Sequence, residues 1–149
     1  MSINKSALVT RPNHEVVTNY LCSWSEDVLN MGNKQVVAVY DLKGSKASKK
    51  NFESYIRKHK PAFIFLNGHG NEDVIAGHND EVLVDNQSQL QGSIIYARSC
   101  EAGRKLGSVL LQNGSAAFIG YSRKFIFGYD TAKIARPRND TLAGLFLEP

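Results

Sequence analysis

Five short apolar runs, set apart by stretches with helical spacing, constrain this chain more than any other feature. Ala7-Leu8-Val9-Thr10, residues 35–40, Ala62-Phe63-Ile64-Phe65-Leu66, Ser93-Ile94-Ile95-Tyr96-Ala97 and Ala116-Ala117-Phe118-Ile119-Gly120 are nearly continuous in apolar character. A strand buried on both faces reads this way, and such strands belong to parallel sheets. Between the runs, apolar residues recur at helical spacing over residues 15–30 (Val16, Val17, Tyr20, Leu21, Trp24, Val28, Leu29), 50–59 (Phe52, Tyr55, Ile56) and 102–113 (Leu106, Val109, Leu110). Gly32, Pro61 and Gly114 punctuate the helix ends. The alternation predicts an α/β domain with a mostly parallel sheet and helices on both faces. Val74-Ile75-Ala76 and Val82-Leu83-Val84, on either side of Gly77-His78-Asn79-Asp80, predict a small hairpin between the third and fourth strands. Phe125-Ile126-Phe127 is a candidate sixth strand, and residues 142–147 read as part of a last helix. The chain stops there, so residues 1–149 are expected to form one domain that is truncated or processed at its C-terminus.

Composition excludes several classes. No apolar stretch approaches the ~18 residues of a membrane span. The segment Met1-Ser2-Ile3-Asn4-Lys5-Ser6 lacks the apolar core of a secretory signal, so a cytoplasmic location and no membrane partner are expected. Cys22 and Cys100 form no CxxC pair, which removes support for a thiolate zinc site, and a cytosolic chain needs no disulfide. The net charge of +4 owes much to Lys46, Lys49, Lys50, Arg57, Lys58 and Lys60. These read as the solvated face of a helix, because Phe52 and Tyr55 sit at core spacing and leave no stacking platform for nucleic acid. A nucleotide-binding reading of Asn67-Gly68-His69-Gly70 fails for want of a GxxxxGK[ST] element.

The third run ends in Asn67-Gly68-His69-Gly70 and the fourth in Arg98-Ser99-Cys100. Reactive groups in open α/β sheets collect at the carboxyl ends of strands. If the two strands are neighbours, an imidazole and a thiol share one rim, the layout of a nucleophilic dyad. Cys100 is expected at the start of a helix whose dipole would favour its thiolate, with Glu101 opposing unless paired. The amides of Gly70 and Cys100 are candidates for an oxyanion hole.

The pattern of a hydrophobic strand ending in His-Gly, then one ending in a small residue and Cys, resembles the caspase-like (clan CD) cysteine peptidases. Phe63-Ile64-Phe65-Leu66-Asn67-Gly68-His69-Gly70 and Ile94-Ile95-Tyr96-Ala97-Arg98-Ser99-Cys100-Glu101-Ala102-Gly103 carry the resemblance. Residues 106–121 look like the CHAT and gingipain-like branch. Ser99 departs from the commoner alanine, and the spacing from His69 to Cys100 is compact. The resemblance implies a caspase-like three-layer sandwich and hydrolysis of peptide or protein substrates through a thioester acyl-enzyme, with no cofactor or metal in the chemistry. His69 and Cys100 would be catalytic. An activating partner or fused module is in keeping with such peptidases. The alternative is a catalytically silent scaffold or sensor for protein–protein interaction.

In that family the residue two before the cysteine lines the pocket for the side chain preceding the cut. Here it is Arg98, and Arg11 lies where caspases keep a pocket arginine, so an acidic preference is expected. Asp41, ending the second strand, either lies near this pocket or forms a turn. The competing reading pairs Arg98 with Glu101, Asp41 or Asp130 and leaves Arg11 exposed. Asn67 either orients His69 or serves as a strand-end turn. Cys22 reads as a packed apolar residue, His14 and His59 as helix-flanking surface or cap residues, and His78 as an exposed turn residue.

Overall fold

The structure, a computed structural model, describes residues 6–35 and 37–149. Residues 1–5, on which the signal-peptide argument rests, and Val36 of the expected second strand lie outside the described residues. Strands β1 (Ser6–Arg11), β2 (Ala38–Lys43), β3 (Phe63–Asn67), β6 (Ile94–Arg98) and β7 (Ala117–Ile119) form one parallel sheet in the order β2-β1-β3-β6-β7. The expected excursion between β3 and β6 is an antiparallel pair, β4 (Ile75–Ala76) with β5 (Val82–Val84).

Helices lie on both sides. Leu8, Ile64, Leu66, Ile95 and Ala97 join Phe52 of α3 (Lys49–His59), Leu106 and Leu110 of α4 (Leu106–Gln112), and Ile75, Leu83 and Val84 of the hairpin in one core. A second core joins Tyr20, Leu21 and Trp24 of α1 (Val16–Trp24) to Ala143 and Leu147 of α5 (Thr141–Leu147), with Phe125, Phe127 and Tyr129 against it. Each fully buried aliphatic side chain contributes ~1.5–3 kcal/mol. The cationic side of α3 is solvated, with Arg57 and Lys58 exposed while Phe52 is buried.

Four expectations about elements need correction. The second strand, expected over 35–40, is Ala38–Lys43, with Asp41 inside it, because its pairing with β1 runs on to Arg11 opposite Lys43. The single helix over 15–30 is two: α1 ends at Trp24 and α2 (Glu26–Lys34) begins after Ser25. Ser25 Oγ donates to the Leu21 carbonyl at 2.6 Å, and that carbonyl also accepts from Arg98. Extra donors inserted into a helical ladder bend it. Helix α2 then runs through Gly32, where a Cβ would sit 2.5 Å from Val39 Cγ2, so that glycine serves close helix–strand packing. The helix expected from 102 starts only at Leu106, because the preceding amides bond elsewhere: Glu101 N–H to Arg123 O, Gly103 N–H to Tyr121 O, Leu106 N–H to Glu72 O. Finally, residues 125–127 have no strand partner among the described residues.

Candidate functional site

The chain steps from β1 outward to β2, then returns past β1 to β3, so the topological switch point lies between β1 and β3. Crevices in open parallel sheets form there, outside the strand C-termini. The loops that leave β1, β3 and β6 at this edge carry His14 and Glu15, His69, and Cys100 respectively.

Beneath the rim lies a layer of buried polar side chains. Arg98 is 4% exposed. Its Nε donates to Asn67 Oδ1 (2.8 Å), Nη1 to the Leu147 carbonyl (3.0 Å), and Nη2 to the Leu21 carbonyl (3.0 Å) and Ser25 Oγ (2.7 Å). Leu147 ends α5 and Leu21 sits in the last turn of α1, so this cation meets the negative ends of two helix dipoles. Burial pushes its pKa down to about 10, which leaves it charged at neutrality. Arg11 is likewise buried; it grips Asp41 through two bonds of 2.9 and 2.6 Å and donates to the Cys22 carbonyl at 2.9 Å. Both expectations for these arginines are therefore corrected. Arg98 and Arg11 direct their donors inside the fold, and Asp41 is the partner of Arg11. Asn67 does not orient His69: its amide bridges Thr10 O (3.0 Å) and Arg98, tying β1 to β6 across β3.

Above that layer the register of β3 and β6 pairs Asn67 with Arg98, so His69 and Cys100 each lie two residues past the last pair of the ladder. Strand neighbours are about 4.8 Å apart. Gly70 presses on the β6 end so closely that a Cβ there would lie 2.1 Å from Ser99 Oγ. Cys100 is half-buried, and its Sγ accepts from the Phe125 amide at 3.3 Å. It does not start a helix: α4 begins six residues later, and Glu101, at φ 56°, turns away to pair with Arg104 at 3.3 Å. No hydrogen bond joins His69 to Cys100 among the described residues. The imidazole instead offers Nε2 to Glu15 Oε1 at 3.2 Å.

Glu15 is a site residue that the sequence reading passed over. Its carboxylate caps α1, accepting from Thr18 N (2.5 Å) and Val17 N (3.0 Å). Burial raises its pKa, but these amides, the Thr18 hydroxyl and His69 outweigh that effect and hold it below the ordinary carboxylate range. A charge fixed at the N-terminus of α1 thus steers the imidazole. The legible signal was an acidic residue immediately before an apolar helical pattern and just past a strand end. His14 and His78 also depart from expectation. The His14 side chain is only 11% exposed, and its ring packs edge-on to those of His69 (6.2 Å) and His78 (5.2 Å). Cys22 is buried as expected, and its burial pushes the thiol pKa up.

A cleft of about 610 Å3 is lined by Glu101, the residue after Cys100, with Arg104, Ser122, Arg123, Lys124 and Ile126. Arg104 is neutralised by Glu101 and Glu72, whereas Arg123 and Lys124 have no ion-pair partner among the described residues. None of the helices among the described residues is long and apolar enough to cross a membrane. No protein-family model matches the chain, and no curated protein matches it.

Proposed function

We propose that the chain is a caspase-like cysteine endopeptidase, with Cys100 as nucleophile, His69 as general acid–base and Glu15 as the positioning residue for His69. The observation that carries this reading is the Asn67–Arg98 register of β3 and β6, which supports a shared rim for imidazole and sulfur. In the first step His69 takes the thiol proton and the sulfur attacks the peptide carbonyl. The C–N bond then breaks as the imidazolium returns that proton to the leaving amine, leaving a thioester. Water, deprotonated by His69, releases the acid and regenerates the thiol. In this reading the Gly70 and Cys100 amides receive the oxyanion, and one such donor is typically worth ~3–4 kcal/mol. Hydrogen bonds between catalytic groups often tighten only once substrate is bound, so the separate partners of His69 and Cys100 suit a resting state.

The cleft that starts at Glu101 supports a preference for an acidic side chain, read by Arg123 and Lys124 instead of the internal Arg98 and Arg11. Fluorogenic peptides ending in Asp, Arg or Leu test both parts. Asp-terminated substrate is expected to turn over fastest and Cys100→Ala to abolish cleavage. Faster turnover of the Arg peptide overturns the specificity. Unchanged cleavage by Cys100→Ala overturns the nucleophile. Failure of a peptidyl electrophile to modify Cys100, when a small alkylating agent does modify it, favours the silent scaffold.

A further inference from the structure

Among the described residues, four buried side-chain polar atoms lack a hydrogen-bond partner: His14 Nδ1 and Nε2, His78 Nδ1 and Ser99 Oγ. His14, His78 and Ser99 all belong to the rim that carries His69 and Gly70. Buried polar groups are satisfied almost everywhere in folded proteins, so a local cluster of orphans points to a missing ligand. The chemistry of the cluster identifies its class. One ligand atom each from His14, His69 and Asp80 lies within 4.8 Å of the others. His14 Nε2 and Asp80 Oδ1 are 3.3 Å apart without hydrogen-bond geometry. Two atoms bound about 2.0–2.1 Å from a tetrahedral zinc are themselves ~3.3 Å apart. Imidazole nitrogens select zinc-class ions over calcium or magnesium, which prefer all-oxygen shells. Glu15, bonded to one His69 nitrogen, leaves the other for a ligand and supplies the carboxylate that commonly backs a metal-bound histidine. Two carboxylates, Asp80 and Glu15, match the charge of a divalent cation.

We propose that His14, His69 and Asp80 form a site for a zinc-class divalent ion, and that the ion switches the proposed peptidase off by occupying His69. The inhibitory half rests on the peptidase reading; the binding half does not. A histidine whose lone pair is bound to metal cannot accept the Cys100 proton. Three protein ligands leave a fourth position for water, so the ion can leave when a chelator competes. The three ligands come from the loop after β1, the loop after β3 and the hairpin, so binding would also fix these loops to one another.

The test titrates the full chain with Zn2+ against a chromophoric chelator, with Co2+ absorption as a second readout of four-coordinate geometry. One equivalent is expected to bind, and His14→Gln and Asp80→Asn are each expected to weaken it tenfold or more. Asp80 is exposed, so its variant keeps the test sound if His14→Gln folds poorly. Cys100→Ala and His59→Gln, the latter at the opposite sheet edge, are expected to bind as the wild type. No binding, binding indifferent to both His14→Gln and Asp80→Asn, or binding lost in Cys100→Ala overturns the site. In the activity arm, Zn2+ is expected to inhibit the wild type, while Asp80→Asn retains activity and resists inhibition. Binding of one equivalent to a chain that cleaves no peptide leaves the site standing and removes the peptidase. An active chain that binds the ion without inhibition refutes the switch.

Discussion

Glu15 shows how one side chain can couple a helix cap to the placement of an imidazole. Its carboxylate satisfies two amides at the start of α1 and takes the His69 imidazole on the same oxygen that accepts from Thr18. Glu15→Gln retains an amide oxygen for the cap but removes the charge that favours the imidazolium. We expect kcat/KM to fall ~10-fold with KM nearly unchanged, since general acid–base groups contribute ~10²–10⁴ in total. The same carboxylate has a pKa below its ordinary value of 4.5 in the folded chain. Its stabilising contribution is therefore complete above that value and is lost as pH falls through the lower, folded one. Denaturant unfolding across this acid range should show a shallower pH dependence for Glu15→Gln than for the wild type. Arg98 gives the contrasting case. Replacement by Met would strand the Leu147 carbonyl and Asn67 Oδ1, while the Leu21 carbonyl and Ser25 Oγ keep their bond to each other, and should cost about 3 kcal/mol in urea unfolding. Substrate preference of the folded fraction should not change, because the guanidinium faces inward.

At the scale of elements, the continuous apolar runs located the central strands β1, β3 and β6, since burial on both faces leaves one recognisable pattern, whereas the half-exposed edge strand β2 runs three residues past its expected bounds. Helix boundaries were harder to read. The break at Ser25 depends on a hydroxyl that bonds both the Leu21 carbonyl and Arg98, 73 residues away, a contact no local spacing encodes. Ser25→Ala removes both bonds and should destabilise the chain by ~1–2 kcal/mol. The late start of α4 has a similar cause, because its would-be first turn is bonded to residues 121–123 and Glu72. Apolar alternation at 125–127 suggested a strand, yet Phe125 and Phe127 alternate because they pack on α1 and α5 while Ile126 stays 75% exposed. Periodicity there reports a buried face, not a ladder. The family pattern directed attention to His69 and Cys100, but it also assigned Arg98 and Arg11 to a pocket. Only the fold reveals that two helix C-termini and Asp41 already hold them.

For the whole molecule, the strand order matters most. Placing the switch point between β1 and β3 brings the loop with His14 and Glu15 against the loop with His69, while β6 delivers Cys100 on the other flank. A three-strand rim then carries acid, imidazole and thiol in that order, and none of this follows from spacing along the chain. Gly70 joins the flanks: Gly70→Ala would drive a methyl into Ser99 and should reduce turnover at least tenfold while costing ~1–3 kcal/mol of stability. Imidazole and sulfur are proposed to act as one unit across this rim. The most direct test is the rate at which a peptidyl electrophile alkylates Cys100, followed by intact mass, in the wild type and in His69→Ala. The rate should be lower by ~10²-fold or more in the variant, in line with the loss of a general base. Equal rates in the two proteins, with Cys100 as the modified residue in both, would contradict that proposal.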